Sequence, residues 1–573
     1  MAAYEKVTLH DVNRESIEPA ATAESPSSTE AQSVRFHDLD ALRSVAMLLG
    51  ILLHAMLSFV EVPIWPAQDR YQNSVVYGFV VDALHGFRLP VFFLLSGFFT
   101  TMLWRKRGMA ALIAHRTKRI LLPMVLALVV VWPVLIVITV WGGFAKAHLA
   151  EQRASAPQVD TATIWTAARD GDSAGISVAL EHGANIDGWD GIGATPLYWA
   201  TLYGHTDAMT LLIERGANVN AGNKDGATSL HIAALFGRRS AVELLLSNGA
   251  DINKRNLNGD TALDHCDMPD FVVQMIAGAV QLDPLEVTSG RQGTRELFET
   301  AGAAHGGLFG AEHSDGMRAL IGIWKLGAFF PVFHHLWFLY YLCLLVIIFV
   351  VVATVMSKLG IGVPQPLVTS PLRWLWLIPI TVIAQFMMVQ AFGPDTAGGI
   401  LPWPPKLMYY GVFFGFGALC YGKPRFHERA GAWWPLWFAL AIPAFLAARY
   451  CIDRRVEAFY PYQLLYSFCA AVYAWLMIYG SIGVFRRFCR SDNPRIRYIS
   501  DSAYWLYLAH LPLVMAIQIM VMSWNMPSYI KLILLCVVVT PILLISYEYM
   551  VRYTWIGAML NGRKHRQAPV PST

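Results

Sequence analysis

The stretch Asp40-Ala-Leu-Arg43-Ser-Val-Ala-Met-Leu-Leu-Gly50-Ile-Leu-Leu-His54 decides the fold class of this chain. Apart from Arg43 and His54, the run after Asp40 is almost wholly apolar, and with its continuation to residue 60 it is long enough to cross a bilayer as a helix. Arg43 and His54 stand eleven positions apart. At about 100° each these steps make roughly three turns, so both side chains share a face about 16 Å apart along the axis. That is about half of a hydrocarbon core roughly 30 Å thick. A cation at the membrane edge with a titratable ring at mid-depth is costly, and such residues persist where they line a path or a site. The plain alternative is a snorkelling arginine and a histidine bonded inside the bundle.

Apolar runs of similar character fall at about 41–60, 75–104, 120–141, 334–356, 374–392, 407–421, 433–449, 463–485, 502–523 and 530–555, which predicts ten membrane helices. The 573 residues are 55% hydrophobic and only 15% charged, against about 25% charge in an average soluble domain. The expectation is an all-α, polytopic membrane helix bundle in contact with lipid. A formal net charge of +4 is small for this length and argues against nucleic acid as a partner. Seven scattered cysteines form no CxxC pair, so neither a zinc site nor a disulfide framework is indicated. Residues 1–36 are polar and lack an apolar signal core, which reads as a disordered tail that is not cleaved. Basic clusters at 105–107, 116–119, 423–429, 486–497 and 563–566 all fall on one side of a ten-span bundle. That side is expected to be cytoplasmic, with both the N-terminus and the basic tail 557–573 inside.

The segment from about 142 to 333 departs from this pattern. Gly183-Ala-Asn, Gly216-Ala-Asn and Gly249-Ala-Asp recur every 33 residues, and Thr195-Pro-Leu, Thr228-Ser-Leu and Thr261-Ala-Leu share the period. This resembles the ankyrin repeat, a turn followed by two antiparallel helices and a glycine stop. About four units are expected over 160–277 as an inserted α-solenoid, the outer two atypical as end caps tend to be. The Gly-rich stretch 278–329 reads as a linker. Under the ten-span topology the repeats lie in a bacterial periplasm. His205 and His231 match structural positions of the repeat, while Tyr198, Trp199, Tyr203 and Phe236 offer aromatic surface for a sugar or protein partner.

Six motifs stand in order through 37–141 and 330–556. They are Leu39-Asp40-Ala-Leu-Arg43 leading to His54; Asp82-Ala-Leu-His85-Gly-Phe-Arg88 running into Phe92-Phe-Leu-Leu-Ser96-Gly97; Arg116-Thr-Lys-Arg119 before Pro123; His335-Leu-Trp337; Tyr507-Leu-Ala-His510-Leu-Pro512; and Tyr547-Glu548. Together they make the chain resemble the acyltransferase 3 family of membrane acyltransferases, and within it the members that succinylate periplasmic glucans. The resemblance implies an O-acyltransferase of the bacterial inner membrane. It would use acyl-CoA (succinyl-CoA or acetyl-CoA) as a co-substrate, keep no permanent cofactor, and modify a hydroxyl of a periplasmic or cell-surface glycan acceptor.

The residues can be weighed against that chemistry. Phosphates of CoA suit arginine forks, and Arg43, Arg116 and Arg119 fall at the inner surface; ordinary positive-inside anchoring is the alternative for the last two. His54 is a general base on the acceptor hydroxyl or an acyl relay. Asp40 beside Arg43, and Glu548 in the final span, join the expected catalytic set. Glu548 needs a partner, for which Arg43, His510 and Arg552 are candidates. Asp82, His85 and Arg88 recur every three residues on a helix, as a structural network or as an acceptor-side site in which Arg88 steers an anionic acyl group or a developing oxyanion. His335 and His510 belong to the same side, against the plain readings of an interfacial residue beside Trp337 and a core histidine bonded to a carbonyl freed by Pro512. Ser96-Gly97 between phenylalanines reads as close helix packing rather than a nucleophile. A second reading is a membrane carrier or flippase whose charges line a transport path, with the repeats recruiting a protein partner.

Overall fold

A computed structural model describes residues 36–562 except 61–64, 66, 70–74, 155–162, 191–192, 224, 281, 307–323, 325–326, 328–331, 389–391, 395, 397, 424–429 and 456–457. The expected disordered tail and most of the basic tail lie outside the described residues, which are helical with no β-strand among them. Helix α1 (His37–Met56) opens with Asp38 and Asp40 in its first turn, where the helix dipole favours carboxylates. Helix α2 (Val75–Arg116) is interrupted at Gly108, whose φ of +81° suits glycine. Arg116 Nη2 donates to Thr100 Oγ1 at 2.7 Å. Sixteen residues of straight helix would hold those side chains about 24 Å apart, so the chain reverses at Gly108. A π-turn (Thr117–Leu121) then leads into α3 (Leu122–Ala154).

The expected repeats follow as helix pairs: α4 (Ile164–Asp170) with α5 (Ser173–Glu181), α6 (Pro196–Tyr203) with α7 (Thr206–Glu214), and α8 (Ser229–Leu235) with α9 (Arg239–Ser247). The periodic threonines cap the inner helices; Thr195 Oγ1 accepts from the Tyr198 N–H at 3.2 Å. His205 Nε2–H donates to Arg169 O at 2.9 Å and His231 spans Thr228 and Asp260, so both are structural. The fourth pair differs from the sequence reading. Its inner helix is α10 (Ala262–Cys266), and its outer helix is not α11 (Asp270–Ala279) but α12 (Pro284–Thr300), which packs against α9 and α10. One bond recurs between successive turns: Asn218 N to Asp187 Oδ1, Asp251 N to Asn220 Oδ1, and Ala304 N to Asn253 Oδ1. Gly302-Ala-Ala304 is therefore the fourth glycine motif, 53 residues after the third instead of 33. The 20 extra residues carry α11. The module thus runs to about residue 306, and 278–329 is not a linker from its start, because α12 buries Val287, Thr294 and Phe298. The aromatic surface is also largely spent internally: Phe236 is 3% exposed, Tyr203 OH donates to Val280 O, and Trp199 Nε1 donates to Asp190 Oδ2.

The bundle resumes at a 3-10 turn (His334–Leu336) before α13 (Trp337–Lys358), α14 (Trp374–Phe386), α15 (Pro404–Cys420), α16 (Trp434–Arg454), α17 (Phe459–Phe488), α18 (Pro494–Val521) and α19 (Ser528–Ser546). Seven helical runs are long and apolar enough to cross a membrane. One of them, Val76–Ala145, contains the reversal at Gly108 and so holds two of the ten predicted spans. The other two fall short: α14 has 13 residues and α15 has 17, about 20 and 26 Å. Helix α14 stops because side chains take over the backbone partners beyond it: Gln385 Nε2 donates to Gly393 O, and Gln463 Nε2 to Phe386 O and Met388 O. Arg43 meets Ser500 and His54 meets His510, so α1 and α18 run parallel. Gly50 meets Arg88 and Arg43 meets Phe99, so α2 runs antiparallel to α1. Ile51, Ala55 and Phe59 pack with Leu506 and Val514 of α18 and Leu535, Val539 and Leu543 of α19. Gly97 and Gly417 let α2 and α15 touch: a Cβ on either would stand 1.9 Å from a carbonyl oxygen of the other helix. Close packing is thus the role of the Ser96-Gly97 motif.

Candidate active site

Four elements bring basic side chains together: α1 with His54, α2 with Arg88, the turn before α13 with His335, and α18 with His510. His54 Nδ1 lies 2.8 Å from Gly50 O and 3.0 Å from His510 Nε2. His510 Nδ1 lies 2.8 Å from Tyr507 O and 3.1 Å from Leu506 O. A carbonyl oxygen only accepts, so in the neutral pair each ring carries its hydrogen on Nδ1. His510 Nε2 then accepts from His54 Nδ1–H, and His54 Nε2 keeps a free lone pair. Gln518 Nε2 donates to His54 O at 2.9 Å and to Ala55 O at 3.1 Å, which holds the backbone under the imidazole. His510 is 2% exposed and His335 8%, whereas His54, His85 and Arg88 are only half-buried.

Arg88 is seated on Gly50. A Cβ there would lie 2.3 Å from Arg88 Nη1. The Arg88 Nε is buried without a hydrogen-bond partner, and Arg88 forms no ion pair among the described residues. An uncompensated cation inside a bundle is costly. The Asp82-His85-Arg88 string is not a network. Asp82 Oδ2 pairs with Arg449 Nε at 3.3 Å, and His85 Nε2–H donates to Pro394 O at 2.7 Å. Tyr507 OH donates to His335 O, while His335 Nε2–H points to Leu508 O at 3.3 Å. The His335 ring stands edge-on to His510 with centroids 5.2 Å apart, and its Nδ1 is buried without a partner.

A second basic group gathers where α1 begins and α2 turns back. Arg43 Nη2 bonds Ser500 Oγ at 3.3 Å and stands 3.4 Å from Asp40 Oδ1. Arg116 lies within electrostatic range of both Arg43 and Arg119, and its Nε is buried without a hydrogen-bond partner. Arg119 lies beside Gly562. Between the two stations α18 presents Ser500, Tyr504, Tyr507 and His510 along one side, at the three- and four-residue steps of a helix face. Glu548 takes Arg552, at 2.7 Å, and Tyr553 OH, at 3.2 Å. Of its three candidate partners Arg552 is the one in place, and the structure does not bring Glu548 to the imidazoles.

A family model described as "Acyltransferase domain" matches residues 36–166 and 297–547, the two stretches that carry His54, Arg88, His335, His510, Arg43, Arg116 and Arg119. The chain belongs to the acyltransferase 3 family. A model described as ankyrin repeats matches 148–223 and 164–256. No curated protein matches the chain. In this membrane-spanning acyltransferase the arginine–histidine stretch of α1 is the first element of the family domain. Sequence reasoning found His54, Arg88 and His510 separately. It missed Gly50, which meets Arg88, Gln518, which bonds the backbone of His54, and Arg449, which pairs with Asp82. Gly50 and Gln518 were visible only as a small and a polar residue within apolar runs, a signal too common to single them out.

Proposed function

We propose that this acyltransferase moves an acyl group from acyl-CoA to a hydroxyl of a periplasmic or cell-surface glycan in a bacterial inner membrane. The observation that carries the reading is the His54–His510 pair, which leaves His54 Nε2 as a free base near Arg88, a cation with no ion pair among the described residues. Arg43, Arg116 and Arg119 hold the CoA phosphates at the cytoplasmic end, the side on which basic clusters are retained. The pantetheine arm lies along the seam of α1 and α18, about 16 Å from Arg43 to His54. His54 Nε2 takes the proton of the acceptor hydroxyl as its oxygen attacks the thioester carbonyl. Arg88 holds the resulting oxyanion. Collapse breaks the carbon–sulfur bond, and the CoA thiolate leaves with the proton from His54. Protonated His54 is stabilised through Nδ1–H to His510, a positioning residue in this scheme. The motif likeness to glucans biosynthesis protein C favours succinyl as the acyl group and a glucan as the acceptor. Helix α3 starts at the arginine end and packs along α18 towards Met522, so the repeat module is fed from the opposite end. That supports a periplasmic module that docks a protein partner.

The test is acyl transfer from labelled succinyl-CoA and acetyl-CoA in membranes that contain the protein or its His54→Ala variant. Loss of transfer at unchanged insertion is expected. Full turnover by His54→Ala would remove the base from the scheme, and transport of label without a new ester would favour the carrier.

A further inference from the structure

The inner helices α6 and α8 are apolar on two faces. One face, with Leu197, Ala200, Leu230, Ala233 and Ala234, packs against the outer helices and forms the core of the stack. A helix apolar on its other side as well must be covered there too. That second face, formed by Leu202, Ile232, Leu235 and Phe236, makes a separate cluster with Val273 and Ala277 of α11 and Val287 at the start of α12. Helix α11 belongs to the 20-residue insert and has no place in the repeat itself. With Val280 at its C-cap it presents apolar residues at 273, 276, 277 and 280, the i, i+3, i+4, i+7 pattern of an amphipathic helix laid in a groove. Tyr203 OH at the end of α6 reaches Val280 O at 3.3 Å, and Gln274 Nε2 bonds Thr288 Oγ1 at 3.1 Å.

A helix of 10 residues does not hold together alone in water. Its order comes from the groove and from α12, against which it packs, and its hold there comes from being tethered at both ends, which gives an effective concentration on the order of millimolar. We propose that α11 is an intramolecular occupant of the repeat module's interaction groove, and that the partner is a protein segment forming an amphipathic helix of the same apolar spacing, which docks by displacing α11. This rests on the reading of the module as a protein-docking unit and adds the chemistry of the partner and a built-in block.

The test uses the full chain in lipid nanodiscs and a fluorescent peptide of residues 268–282. Unseating α11 with Val273→Asp and Ala277→Asp should tighten peptide binding by about tenfold or more relative to the unmodified protein, and a peptide bearing the same two substitutions should not bind. Hydrogen exchange of α6 and α8 reports whether the module stays folded. If it does not, the near-isosteric pair Val273→Thr and Ala277→Ser replaces the first variant. Equal binding to both proteins would show an open groove, overturning the block while leaving the docking reading in place. No binding to a folded variant would overturn the proposal together with docking through this groove.

Discussion

At the scale of single residues, the site is defined by which atom each basic side chain offers. His54 and His510 are both tied through Nδ1, and this is what leaves Nε2 of His54 free. Replacing His54 by Ala should cut transfer by roughly 10²–10⁴-fold, the range for a general base, as measured with labelled acyl-CoA. His510→Gln keeps a side-chain acceptor within reach. It should retain much of kcat at high pH and move the acid limb of the pH–rate profile, whereas His510→Ala should lose rate at every pH; identical profiles for the two would contradict a positioning role. Gly50→Ala brings a methyl group to 2.3 Å from Arg88 Nη1. Because that atom ends a flexible side chain, the expected result is a displaced guanidinium and lower kcat with nearly unchanged thermal stability. Away from the membrane, burial and the neighbouring His265 lower the His231 pKa from 6.5 to about 4. The unfolded chain therefore binds the proton first as pH falls. His231 contributes stability above about pH 6.5, and up to about 3 kcal/mol of it is lost progressively down to about pH 4. Amide exchange of α8 followed across that range should show it, and His231→Asn should flatten the response. The sequence made His54 and His510 conspicuous, because ionisable groups in apolar runs are few. It could not pair them, since 456 positions separate them.

At the scale of elements, two contacts govern the architecture. Helices α2 and α15 meet at Gly97 and Gly417, where the opposing atoms are backbone carbonyls that no rotamer change can move. Gly97→Ala should therefore force the helices apart, and a lower unfolding temperature in detergent together with lost transfer is the expected outcome. In the repeat module, Arg291 of α12 donates to Cys266 O at 2.8 Å and to Met268 O, and pairs with Asp270 at 3.2 Å. It satisfies carbonyls at the end of α10 where the insert departs. Arg291→Ala should destabilise the module by roughly 2–3 kcal/mol, read as faster exchange of α10 and α12 while α4 and α5 are unaffected. The hairpin at Gly108 was legible as a basic break between two apolar runs. The identity of the fourth outer helix was not. A search at a period of 33 passes over Gly302, and only the recurring bond from Asn253 to Ala304 restores the register.

At the scale of the whole molecule, one chain joins an acyltransferase domain, split between residues 36–166 and 297–547, to a soluble module inserted between its helices. If the module only recruits, deletion of 163–306 should leave basal transfer to a small free acceptor within about twofold, and complete loss despite normal insertion would refute that division of labour. The sequence by itself determined the membrane class, most of the spans, the repeats and the family motifs. Each of these is written in local periodicity, whether a run of apolar residues, a step of 33, or a short string around one helix turn. The tertiary structure decided which partner each ionisable group takes. Asp82 goes to Arg449 and Glu548 to Arg552, while Arg88 sits beside Gly50 with no ion pair among the described residues. It also decided that α11 leaves the stack to cover the inner helices. Pairing and coverage depend on helix faces meeting across hundreds of residues, and the distance between two faces is a property of packing that no local pattern encodes.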